Sequence, residues 1–147
     1  MSKLLHIEDV LQKQGYYIST TVGTSMYPML RNRKDTIIVR PVTGKLKKYD
    51  IPLYRRGDNY VLHRIVGAIS DGRYIICGDN CLHREYGITD EQIIGVLTGF
   101  RRGEKEINMK GTGYRSYCRV WVAMYPIRYL AGSVYLMIKR IRKRIRA

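Results

Sequence analysis

The sequence predicts a mainly β domain of short antiparallel strands, with a short helix ahead of it and a basic amphipathic helix behind it. Three observations carry this expectation. Aromatic and β-branched runs recur between turn clusters rich in Gly, Asp and Asn; apolar residues return at helical spacing only near the two ends; and after Gly111 and Gly113 the chain turns into one long apolar and basic stretch. With 147 residues and 45% apolar content, one hydrophobic core can form. The expected organisation is an N-terminal helix over 1–15, a β domain over 16–110 and an apolar, basic helical tail over 111–147.

Each element has a local reason. Leu4, Leu5, Ile7, Val10 and Leu11 leave Lys3, Glu8, Asp9, Gln12 and Lys13 for another face, and Gly15 ends that helix. Tyr16 to Val22 reads as a strand that delivers the chain to Gly23, before Pro28 breaks the pattern. The run from Asp35 reads as a buried strand, and Ile51 to Arg55 as another, with Pro52 suited to an edge or a bulge. Arg56-Gly57-Asp58 belongs to a hairpin turn, and residues 60–69, YVLHRIVGAI, form one strand with His63 at its middle. A turn at Ser70 to Gly72, a strand from Arg73 to Cys77, a turn at Gly78-Asp79-Asn80 and a closing strand from Ile93 to Phe100 complete the domain, before the basic turn over 101–106.

Charge is the unusual quantity. There are 27 Lys and Arg against 12 Asp and Glu, a formal net charge of +15, which attracts phosphate-bearing partners. Six of the basic residues lie between Lys139 and Arg146, where Leu130, Val134, Met137, Ile138, Ile141 and Ile145 recur on one helical face. Arg128 and Pro126 interrupt the apolar stretch Val120 to Ile138; a central charge costs about 3 kcal/mol on insertion scales, so a bilayer span is not expected. Two arrangements remain open: residues 119–147 on an anionic membrane surface, or the apolar stripe packed on the β domain. Nucleic acid is the weaker fit, because the basic residues gather around an apolar face. Cys77, Cys81 and Cys118 make an odd count with no secretory signal ahead, which implies free thiols in a reducing compartment. The expected location is cytoplasmic, peripheral on the inner face of the membrane. Cys77, Cys81 and His83 supply three metal ligands where structural zinc takes four, so neither a metal nor another cofactor is expected.

The chemistry centres on Thr21 to Leu30, TVGTSMYPML, where Ser25 stands between Gly23 and Pro28. A serine hydroxyl becomes a nucleophile only with a base in reach and donors for the oxyanion. His6 falls in the N-terminal helix and has a surface reading; His63 lies beside Ile65 and Val66, where an imidazole must be hydrogen-bonded or used.

Taken together and in order, GTSMYPML, HRIVG and CGDN resemble the signal peptidase I superfamily, which includes the LexA-type self-cleaving peptidases. The resemblance covers about Tyr16 to Phe100 and implies that superfamily's β-fold, with Ser25 as the nucleophile. The base position is lysine in most bacterial members and histidine in the archaeal and endoplasmic-reticulum type, so His63 points to the serine-histidine branch. That branch orients its histidine with an acid near the GDN motif. Asp79 is the first choice, although Gly-Asp-Asn is also an ordinary turn. Glu85 stands where a second aspartate usually follows. The resemblance further implies an oxyanion site at the Ser25 backbone, with Thr24 as a further donor, and substrate contacts from Met26 and Pro28. This sequence departs from the family in having Gly23 where many members carry serine, Glu85 for aspartate, and no transmembrane helix leading into the serine. The implied function is a serine endopeptidase that cleaves a peptide or leader segment through an acyl-enzyme. The alternative is a catalytically degenerate peptide-binding module at a membrane surface.

Overall fold

A computed structural model describes residues 6–146 as two antiparallel sheets with one helix before them and two after. Helix α1 spans Ile7–Gln14 and ends at Gly15, whose φ of 75° closes it by an N–H bond to the Leu11 carbonyl. Lys3, Leu4 and Leu5, which the sequence assigned to this helix, lie outside the described residues. The strands are β1 Tyr17–Thr20, β2 Asp35–Arg40, β3 Pro52–Arg56, β4 Asn59–Leu62, β5 Arg64–Ala68, β6 Tyr74–Cys77, β7 Glu85–Ile88, β8 Ile93–Arg102 and β9 Lys105–Ile107. The first sheet runs β1-β2-β8-β3-β4, with β9 also paired to β8; the second runs β5-β6-β7. Helices α2, Thr112–Ala123, and α3, Tyr125–Ile145, follow.

Alternation explains the first sheet. Along β2 the residues Ile37 and Val39 point inward, and with Leu53, Leu97 and Phe100 they build a core that also takes Met26, Met29 and Leu30 from the serine-bearing segment. Helix α1 closes over that core by Leu11, whose Cδ1 reaches the backbone at Gly95; a Cβ there would meet it at 3.2 Å and Val39 Cγ1 at 2.7 Å. A smaller core of Tyr54, Ile65, Tyr74, Ile76 and Ile88 lies between the sheets, with Tyr54 as the first sheet's contribution.

Three expectations change. The segment 60–69 is not one strand: it breaks at His63, with β4 on one side in the first sheet and β5 on the other in the second. Its hydrophobic alternation carries no mark of the change of sheet, because both halves are β-branched and partly buried. The tail is two helices, with Pro126 in the first turn of α3, where its missing N–H costs no helical bond. Strands β7 and β9 were not foreseen; β9 forms a hairpin with the end of β8 across the predicted basic turn. Pro52, by contrast, opens β3 next to a register shift between Leu53 and Tyr54, as a bulge would have it.

Candidate functional site

Ser25 and His63 come to one groove, although they are far apart in sequence. The groove has a volume of about 520 Å³ and is walled by β1 and the segment after it, by β4, and by Ser25, His63 and Cys81. The turn carrying Ser25 is fixed from both sides. Thr21 Oγ1 donates to the Arg31 carbonyl at 2.7 Å, and the Gly23 N–H donates to Asn32 Oδ1 at 2.9 Å, which close the loop on itself. From the other side the Asn80 N–H donates to the Ser25 carbonyl at 2.8 Å and Asn80 Nδ2 to the Thr24 carbonyl at 3.2 Å. Gly23 has a φ of 97°, a conformation that side chains resist, which is a backbone reason for glycine where a serine would be strained.

His63 is buried, at the step between the two sheets. Its Nδ1 lies 3.3 Å from the Tyr54 hydroxyl and 3.5 Å from Glu85 Oε1. Tyr54 also donates to Glu85 Oε1 at 2.7 Å, and Arg56 pairs with the same carboxylate, so Glu85 is held by two donors. The opposite ring nitrogen faces the serine turn. A Cβ built on Gly78 would stand 3.0 Å from His63 Nε2 and 2.6 Å from the Ser25 carbonyl oxygen, so these two atoms are no farther apart than the sum of those lengths. Among the described residues no hydrogen bond joins Ser25 Oγ to the ring; the imidazole contacts are those at Nδ1.

Burial lowers the His63 pKa below its ordinary value near 6.5, against the opposing pull of the Glu85 charge. The ring is therefore neutral at neutral pH and able to accept a proton. Burial also acts to raise the Glu85 pKa, but the hydrogen bonds from Tyr54 and Arg56 outweigh it and hold that carboxyl below its usual range. Tyr54 is pushed upward, by burial first and then by Glu85, and stays a donor. An ionised acid, a neutral imidazole and a serine turn thus stand in sequence across the groove wall.

Asp79 is elsewhere. Its carboxylate takes a bidentate pair from Arg64, Nε and Nη2 each at 2.7 Å, and a bond from the Tyr117 hydroxyl at 2.9 Å. Both members of this ion pair are buried, and Arg64 reaches onward to the Tyr49 carbonyl, the Tyr114 hydroxyl, Cys118 Sγ and Met29 Sδ. The acid in contact with His63 is Glu85 and not the first-choice Asp79, because Arg64, the next residue along, turns into the second sheet and takes Asp79 with it. Met26 is buried and lines the groove. Pro28, joined to Tyr27 by a cis peptide bond and expected to contact substrate, does not line it, and neither does Thr24. The Thr24 carbonyl is occupied by Asn80.

Sequence reasoning missed Tyr54 and Arg56, which bracket Glu85, and Arg64, which it quoted only as part of HRIVG. A lone Tyr on an apolar strand carries no catalytic signal. The arginine next to the histidine was the one available hint, since a charge in an apolar run requires a partner. Cys77, Cys81 and Cys118 are free thiols; burial raises the Cys77 thiol to about 11. No group of three or more His, Cys, Asp or Glu among the described residues could hold a metal ion. Comparison of the chain with protein-family models, with curated proteins and with solved structures gives no match in any of the three.

Proposed function

We propose that the protein is a serine endopeptidase of signal-peptidase type, with Ser25 as nucleophile, His63 as base and Glu85 as the acid that orients it. The observation that carries this reading is the polarity of His63: Nδ1 against Glu85 and Tyr54, Nε2 toward the Ser25 turn. In this mechanism Nδ1 carries its proton toward Glu85, which leaves Nε2 free to take the Ser25 proton as Oγ attacks the scissile carbonyl. The imidazolium then gives that proton to the departing amine, and the ester left on Ser25 is hydrolysed by water that the same nitrogen deprotonates.

The groove suits an extended peptide. Strand β1 is an edge of the first sheet, so its outer backbone groups can pair with a substrate strand, while Tyr17, Ser19, Val22, Met26 and Leu62 offer side-chain contacts. A peptide or leader segment with small residues at the cut is the substrate class implied by the family resemblance. The test combines a fluorophosphonate probe with cleavage of candidate precursors. Mass spectrometry should locate the probe on Ser25, and Ser25→Ala and His63→Ala should abolish both labelling and cleavage. Turnover undiminished in either variant refutes the assignment. Peptide binding without labelling would instead mark a peptide-binding module.

A further inference from the structure

The face that α3 turns away from the domain is apolar in its middle and basic along its flanks. Successive residues advance roughly 100° around a helix. On that count Tyr125, Arg128, Tyr129 and Gly132 share one side, and all four meet the domain. The Tyr125 hydroxyl donates to the Leu82 carbonyl, Arg128 Nη1 donates to the Asp79 carbonyl at 2.7 Å, Tyr129 packs edge-on to His83, and a Cβ on Gly132 would stand 2.7 Å from Leu82 Cδ2. Ile127, Leu130, Val134, Met137, Ile138, Ile141 and Ile145 fall in an arc of about 100° centred roughly opposite the packed side. They are exposed, Ile127 by 67%, Leu130 by 66% and Ile145 by 79%. The stripe therefore does not pack on the β domain, and one of the two arrangements the sequence left open is removed.

Charge selects the occupant. From Ile107 to the C-terminus there are ten Lys and Arg and no Asp or Glu, and Arg142 and Arg144 border the stripe on its two sides. A second copy of this face would bring like charges together, and a nucleic acid needs no aliphatic centre. No described helix is long and apolar enough to cross a membrane. We infer that α3 lies in the surface of an anionic lipid membrane, with Leu130, Val134, Ile138 and Ile141 in the acyl boundary and the basic residues among the phosphates. The opposite side of the helix grips the Asp79 carbonyl, helped by Trp121 Nε1 at 2.9 Å, next to the Asn80 that holds the Ser25 turn. The groove is thereby carried at the membrane surface. This inference does not depend on peptidase activity.

The test is co-sedimentation of the full chain with vesicles of mixed phosphatidylcholine and phosphatidylglycerol, and with pure phosphatidylcholine, over a range of salt. Binding to the mixed vesicles alone, weakened by salt, is expected. Arg142→Gln with Arg144→Gln, at the two borders of the stripe, should lower the partition coefficient roughly thirtyfold, about fivefold per basic residue. Lys45→Gln with Lys47→Gln, the same charge change on a distant loop, should lower it far less. Leu130→Asn with Ile141→Asn should also release the protein while its circular dichroism and melting stay those of the wild type, as expected for exposed positions. Three results would overturn the inference. The first is no binding to the mixed vesicles. The second is binding that the Leu130 and Ile141 pair leaves intact, with duplex DNA bound more tightly than lipid. The third is sedimentation as a dimer that this same pair dissociates.

Discussion

Replacing Asp79 by asparagine separates a structural clamp from a catalytic acid. The Asp79 side chain is 2% exposed and that of Arg64 is fully buried; two bonds at 2.7 Å join them, and Tyr117 adds a third to the carboxylate. Asparagine preserves the shape but leaves the guanidinium without its counter-charge in a site that excludes water. Removing one partner of such a pair costs about 3–5 kcal/mol. For a chain of this size that corresponds to a fall in Tm of roughly 10 °C. The assay is urea unfolding followed by fluorescence of the single tryptophan, Trp121, which itself donates to the Asp79 carbonyl and reports the junction directly. Probe reactivity of the folded fraction should remain within an order of magnitude of the wild type, because the Glu85 contact with His63 is untouched. The reasoning fails if Asp79→Asn is within about 1 kcal/mol of wild-type stability while Ser25 labelling collapses, since Asp79 would then serve the histidine.

Other perturbations probe the rest of the site. Glu85→Gln should reduce the labelling rate on the order of a hundredfold if it orients the ring, and should cost no more than about 1 kcal/mol of stability, because the pair with Arg56 that links the sheets is partly exposed and screened by solvent. The wild-type rate should rise with pH through a single limb below 6.5, where His63 loses its proton; Glu85→Gln, which removes the charge that raises the His63 pKa, should move that limb to lower pH. An unmoved limb would separate Glu85 from the histidine. Stability should fall as pH drops below 6.5, since the unfolded histidine binds a proton that the buried one resists. Pulse proteolysis across that range, with His63→Gln flattening the dependence, measures it. Gly78→Ala should suppress labelling more than tenfold, as its Cβ would meet the Ser25 carbonyl and Cys81 Sγ at 2.6 Å and His63 Nε2 at 3.0 Å, at a stability cost of about 1–3 kcal/mol. Gly23→Ser, meant to supply the hydroxyl found in many signal peptidases, should give no gain in rate and lose about 1–2 kcal/mol, because φ there is 97° and nothing crowds the site that could select another reason.

Much of the β domain was legible because its strands are short, β-branched and separated by turn residues, and because their alternation follows directly from which side faces the core. Ile37 and Val39 on β2 are an example. What the pattern could not encode was membership of a sheet. Tyr60 to Ile69 reads as one strand by composition, yet His63 is where the chain leaves one sheet for the other: the first half pairs back with β3 and the second pairs forward with β6, two neighbouring hairpins that composition does not separate. The short β7 escaped notice for a related reason: Glu-Tyr-Gly-Ile has a glycine at a φ of 81° and becomes a strand only beside β6. The serine and the histidine were legible as types in a motif. The acid was not, because the choice between Asp79 and Glu85 depends on where Arg64 points.

That choice has a physical logic. Arg64 directly follows His63, so a strand continuing through both would send their side chains to opposite faces. The break at His63 retains the opposition: the imidazole turns to the groove, and the guanidinium turns inward to Tyr49, Tyr114, Cys118 and Met29. A buried guanidinium requires a carboxylate at bonding distance. The loop after β6 provides Asp79, and that loop is thereby fixed to β5, to the segment after Ser25 and to α2. An aspartate so committed is unavailable to the histidine. Glu85, opposite Ile76 at the start of β7, instead approaches His63 from the second sheet, while Tyr54 and Arg56 of β3 approach from the first. Glutamate here is therefore more than a lengthened aspartate. Its carboxylate ties the two sheets together at the step where the histidine sits, so the contact that would orient the base also fixes the separation of the sheets around it.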